Sequence, residues 1–192
     1  APAVTGRVVL AAGAAYSHSM TETVAQVRHL LDVFDLPPVP EAIHETVERA
    51  LAAAPVSVVT LAGTVHPVPV ASALGDPDLI ANAVMDLLPR GAYLVLRGAL
   101  GDRLLTTLLR RRTSTLGLVV SDPTHVLVDR NLWRRWRRQG GQAHVGRPVH
   151  LIAVTTNSYS PVGKDYDART FFQDVCEIAH RPVFDLQAGL SV

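Results

Sequence analysis

Ala92-Tyr93-Leu94-Val95-Leu96, then Arg97-Gly98-Ala99-Leu100-Gly101, then Asp102 to Arg111 (DRLLTTLLRR) is the stretch on which the fold turns. The first segment is a short apolar run, the pattern of a strand buried on both faces. Gly98 and Gly101 bracket a tight passage. From Asp102 onward, Leu104, Leu105, Leu108 and Leu109 recur three and four residues apart, which gathers them on one side of a helix. A strand that passes directly into a helix is the repeating piece of an α/β fold, because parallel strands need crossovers and helices supply them.

The alternation extends in both directions. Upstream, Val8 to Ala12 reads as a strand, and Ser19 with Glu22 has capping-box spacing before a helix that carries Val24, Val27, Leu30, Leu31 and Phe34 on one face. Pro37, Pro38 and Pro40 separate it from a second helix over Glu41 to Ala53. Val56 to Leu61 is rich in β-branched residues and reads as a strand. Asp76 is placed to cap a third helix, with Leu79, Ile80, Ala83, Val84 and Leu87 on its apolar face.

Downstream, Leu116 to Val120 and His125 to Val128 read as strands joined by Ser121-Asp122-Pro123-Thr124, a connection short enough for a hairpin. Asn131 is placed to cap a helix reaching Arg138. Val149 to Val154 reads as a strand, Asp167 to Ala179 as a helix and Pro182 to Leu186 as a last short strand. These elements predict a single α/β domain over 1–192 with a mostly parallel or mixed sheet flanked by helices, largely helical over 1–55 and sheet-rich over 56–192.

Composition agrees with that class. Of the 192 residues 48% are hydrophobic and 18% charged, enough apolar material for a core covered on both faces. The single cysteine, Cys176, excludes an intrachain disulfide framework and a multi-cysteine metal site. It falls within the periodic run Phe171, Phe172, Val175, Cys176, Ile178, where a thiol packs as a small hydrophobe. No apolar run has membrane-spanning length and the first residues lack a targeting pattern, so a cytoplasmic protein with no membrane partner is expected. The net charge of +1 hides an asymmetry: three basic and nine acidic residues up to Pro89 give −6, and fifteen basic and eight acidic from Arg90 onward give +7.

Standard cofactor motifs are incomplete. Gly163-Lys164 is followed by Asp165, without the upstream glycine or adjacent hydroxyl of a phosphate loop. Gly98 and Gly101 do not complete a dinucleotide fingerprint. His44-Glu45 begins a zinc-peptidase pattern, but Glu48 occupies the second histidine position, and no other histidine spacing suggests a metal. The cofactor is therefore unidentified and no metal site is expected.

The most site-like segment runs from Thr155 to Tyr166, beyond a strand whose carboxyl end is where open α/β sheets bind ligands. Asn157, Ser158, Ser160 and Lys164, the sole lysine, supply an amide, hydroxyls and a charge there. Arg97 and Arg103 lie at another strand-to-helix passage, where arginine can clamp a phosphate or carboxylate. Plain structural roles account for the same residues: a polar loop held by its own hydrogen bonds, and an Arg97 to Asp102 ion pair.

Arg110, Arg111 and Arg112, then Arg130, Arg134, Arg135, Arg137 and Arg138, form a basic stretch in which Trp133 and Trp136 lie three apart. Tryptophans packed inward with arginines left in water explain it first, a protein partner or homo-oligomer contact through the 131–138 helix second, and nucleic acid third. The leading functional expectation is binding of a small anionic or phosphorylated ligand at strand-end loops, with catalysis open. The alternatives are a noncatalytic assembly or regulatory subunit and a nucleic-acid-binding protein.

Overall fold

A computed structural model of the protein describes residues 6–13, 19–87, 92–111, 113, 116–159, 165–185, 187 and 189. It is an α/β fold with parallel and mixed sheets. In chain order the elements are β1 (Gly6–Gly13), α1 (Met20–Phe34), α2 (His44–Ala53), β2 (Val56–Thr60), β3 (Val65–Pro67), α3 (Pro77–Met85), β4 (Ala92–Leu96) and β5 (Leu100–Gly101). They continue as α4 (Asp102–Arg110), β6 (Gly117–Val120), β7 (Val126–Leu127), α5 (Arg130–Arg138), β8 (Gln142–Val145), β9 (Val149–Asn157), α6 (Ala168–Ala179) and β10 (Val183–Asp185). The described residues form two compact units: one over 36–148, and a second over the described residues up to Asp35 and from Val149 onward.

The first unit holds a five-stranded sheet in the order β3-β2-β4-β6-β8. β2 is antiparallel to both β3 and β4, whereas β4, β6 and β8 are mutually parallel. Every residue of β2 and β6 is buried, including the polar Ser57 and Thr60 of β2, as strands inside a sheet covered on both faces require. One face packs Val59, Val95 and Val119 against Val39, Ile43, Val47, Ala50 and Leu51 on and before α2. Alternation places Leu94, Leu96, Leu118 and Val120 on the other face. Ile80 and Val84 of α3, Leu104, Leu105 and Leu108 of α4, and Trp136 of α5 are also fully buried.

Three local expectations are corrected in this unit. Pro123–His125 forms a one-turn 3-10 helix capped by Asp122, and β7 pairs in parallel with β5, so β6 and β7 are no hairpin. The mixed sheet comes instead from β2, whose antiparallel pairing reverses the sheet direction. Asp129, not Asn131, caps α5: its Oδ1 accepts the backbone N–H groups of Asn131 at 2.8 Å and Leu132 at 3.1 Å. On α3, Ala81 is buried while Leu79 is exposed, which rotates the apolar face from the expected one.

The second unit is a three-stranded, all-parallel sheet in the order β1-β9-β10. Ala12, Leu151, Val154 and Val183 pack with Val27 and Leu31 of α1 and Phe171, Phe172, Val175 and Ala179 of α6. The opposite face is open along β1, where Arg7, Val9 and Ala11 are exposed. β9 reaches Asn157, so Thr155, Thr156 and Asn157 are strand rather than loop. No helix among the described residues is long and apolar enough to cross a membrane.

Candidate functional site

Parallel strands align their carboxyl ends, and in the first unit these ends are stitched together by hydrogen bonds. Gly146 N donates to Val120 O at 2.8 Å and Arg147 N to Ser121 O at 2.7 Å, which ties the chain leaving β8 to the chain leaving β6. Ser121 N donates to Leu96 O at 3.1 Å, and Ser121 Oγ donates to Arg97 O at 3.2 Å, which ties β6 to the end of β4. Arg97 and Arg147 therefore leave the sheet from strand ends on either side of β6. Both side chains reach solvent; Arg147 also pairs with Glu48 of α2 at 3.6 Å.

Between them stands a short polar turn. Asp122 Oδ1 accepts the backbone N–H of Thr124 at 2.9 Å and the Thr124 hydroxyl, so the carboxylate is fixed as the cap of the 3-10 turn. Its Oδ2 lies 2.9 Å from His125 Nδ1, and Ser121 Oγ lies 3.1 Å from the same nitrogen. A carboxylate only accepts, so the proton belongs on Nδ1, where Asp122 and Ser121 share it. The neutral imidazole then carries its lone pair on Nε2. Sharing a single nitrogen also means that Ser121, His125 and Asp122 are no nucleophilic triad, which would need serine and carboxylate on opposite ring nitrogens.

Arg103 stands on the first turn of α4, beside a cleft of about 160 Å3 lined by Ala73, Leu74, Pro77, Gly101, Asp102 and Leu104. The similar Ala-Leu-Gly-Asp segments at 73–76 and 99–102 thus meet: a Cβ at Gly101 would come within 2.9 Å of Leu74 Cδ2. Asp102 does not pair with Arg97 among the described residues; its Oδ1 accepts the backbone N–H of Asp129 at 2.7 Å and anchors the start of α5.

In the second unit, Gly13 and Asn157 are register partners at the ends of β1 and β9. Asn157 Oδ1 accepts the backbone N–H of Tyr159 at 3.0 Å, and Ser158, which is buried, accepts the backbone N–H of Tyr166 at its carbonyl at 2.9 Å. Thr156 Oγ1 donates to Asp185 Oδ2 at 2.9 Å, both residues being buried. Ser160 and Lys164 lie outside the described residues. The six residues singled out from the sequence therefore divide, Arg97 and Arg103 belonging to the first unit and Asn157 and Ser158 to the second.

A larger cleft, about 600 Å3, lies between the carboxyl ends of α1 and α6 and is lined by Arg28, Asp32, Asp35, Glu177, His180 and Arg181. Arg181 bridges Asp35 across it. α6 leads from this cleft into the start of β10, so it opens at the amino edge of the sheet, away from the edge where open α/β folds hold ligands.

The sequence offers little signal for Ser121, His125 and Arg147 as candidates. Arg147 had no strand end to stand on, because the half-polar β8 (Gln142, Ala143, His144, Val145) gives little strand signal. His125 was absorbed into a strand that in fact begins at Val126. The Asp122-Pro123 pair, a cap followed by a residue favoured in a first helical turn, was the signal that could have found the turn. No protein-family model, curated protein or solved structure matches the chain.

Proposed function

We propose that the protein binds a small anionic or phosphorylated ligand at the carboxyl ends of β4, β6 and β8. The observation that carries the reading is the hydrogen-bond stitching centred on Ser121, which sets Arg97 and Arg147 on either side of the Asp122–His125 turn. Two guanidinium groups offer forked donors to phosphate or carboxylate oxygens, and the imidazole between them adds a further polar contact. Arg103 contributes from the neighbouring passage if the ligand extends along β5.

The test is unfolding monitored against inorganic phosphate, pyrophosphate and sulfate. A ligand that binds only the folded state stabilises by about 2.7 kcal/mol at a hundredfold excess over its dissociation constant. Arg97→Ala and Arg147→Ala should each remove most of that response. Arg103→Ala measures the reach of the site toward β5. An unresponsive wild-type protein, or full response in both the Arg97 and Arg147 variants, rejects the reading.

A second strand edge supports the same class of ligand in the other unit, because the register of Gly13 with Asn157 brings two strand ends together. Asn157, Ser158, Ser160 and Lys164 would hold the anion there. Lys164→Ala and Asn157→Ala distinguish it, since loss of response in these variants alone would move the ligand to this edge.

A further inference from the structure

The turn at the end of β6 does more than complete a polar edge. Asp122 and Ser121 hold the Nδ1 proton of His125, so any further proton must enter at Nε2. The His125 side chain is 38% exposed, which leaves it in reach of a solute. We propose that His125 is a proton-linked ligand group: it takes up a proton at Nε2 as a dianionic phosphate or sulfate group binds at this edge, and the imidazolium N–H donates to that dianion. This rests on the anion-binding reading above and adds to it the charge state of the ligand and the coupling to pH.

The charges around the turn favour such coupling. Arg97 at the end of β4 and Arg147 beyond β8 supply two positive charges, and Asp122 on the turn with Glu48 on α2 supply two negative ones. On the side of β5 and β7, Asp102 and Asp129 are offset by Arg103 and Arg130, their neighbours in sequence. With a neutral imidazole the fixed charges around the turn therefore cancel. A proton on Nε2 tips the balance, and it does so next to the position a dianion would occupy. Asp122 keeps its role throughout, because its oxygens face Nδ1 and the Thr124 donors rather than the ligand.

The experiment is a calorimetric titration of the full chain with sodium sulfate, which stays dianionic throughout, at low ionic strength and at several pH values from 5.5 to 8. The dissociation constant should fall about tenfold as the pH is lowered across this range, the order expected of one added ion contact near the surface. In His125→Gln, whose amide cannot titrate, it should change by less than about twofold. The Hε1 resonance of His125 supplies an independent readout, its titration midpoint rising when sulfate is present. A wild-type affinity that does not depend on pH, or an unchanged pH profile in His125→Gln, overturns the proton linkage while leaving anion binding intact. Failure of sulfate to bind at any pH, with no unfolding response to inorganic phosphate or pyrophosphate, overturns the anion-binding reading and the linkage with it.

Discussion

A Cβ added to Gly141 would lie 2.2 Å from Nε1 of Trp136, a side chain with no exposed surface. The indole packs directly on the backbone that leaves α5, and Gly140 just before it turns the chain through a φ of +87° that glycine adopts without strain. Gly141→Ala must displace a buried ring and should therefore destabilise strongly. Trp133, 4% exposed, packs inward as well, so Trp133→Ala should cost about 3 to 5 kcal/mol in chemical denaturation. A loss below about 1 kcal/mol for Trp133→Ala would contradict the packing.

The tryptophans of α5 are buried while Arg134, Arg135, Arg137 and Arg138 are exposed, so the helix offers its charges to solvent without its own indoles as a stacking platform. Changing Arg134, Arg135 and Arg138 together to alanine should leave nucleic-acid association negligible at physiological salt, as in the parent. If the parent instead forms a tight complex whose salt dependence flattens in the triple variant, phosphate contacts through α5 are established and the expectation fails.

Thr156 and Asp185 form a buried pair across β9 and β10. Asp185→Ala strands the Thr156 hydroxyl at a site with no solvent exposure, and should cost about 1 to 3 kcal/mol for the unsatisfied group. Thr156→Val removes the donor and leaves Asp185 Oδ1 still accepting from Gln187 N at 2.9 Å. A double-mutant cycle should show coupling between the two positions of about 0.5 kcal/mol or more. Strict additivity would show that the pair contributes nothing beyond its separate residues.

Asp167 caps α6, accepting the backbone N–H of Thr170 at 2.8 Å. Hydrogen bonds from the Thr170 side chain and then its backbone, with the Arg169 charge a lesser contribution, hold the carboxyl below its ordinary range. A depressed folded-state value means that the stabilisation is fully present above the unfolded value, near pH 4, and is lost as the pH falls through the folded one. Thermal unfolding of Asp167→Asn should therefore lose part of the wild-type fall in Tm between pH 4 and pH 2. Identical acid profiles for the two proteins would dismiss the cap as a contributor.

The local elements were legible because periodicity and caps are local. Leu104, Leu105, Leu108 and Leu109 lie on one side of α4 whatever surrounds it, and Asp76 caps α3 through its own neighbours' backbone at 3.1 and 3.0 Å. Strands rich in β-branched or apolar residues, such as β2, β4 and β6, were equally plain. The α/β class followed from their order.

Pairing was not local, and it decided what mattered for the site. Nothing in Val126 and Leu127 says that they pair with Leu100 and Gly101 rather than fold back on β6, because a ladder is chosen by the partner's edge as much as by the strand. The register that sets Arg147 beside Ser121 depends on β8, whose alternating polar residues became strand through pairing with β6. Likewise, the sequence places Asp122 and Arg97 far apart and offers Asp102 as the obvious partner for the arginine. Tertiary structure gave Asp102 to the backbone of Asp129 and the Arg97 carbonyl to the Ser121 hydroxyl, because a polar group bonds to whichever donor or acceptor the fold brings within reach and not to its neighbour in sequence.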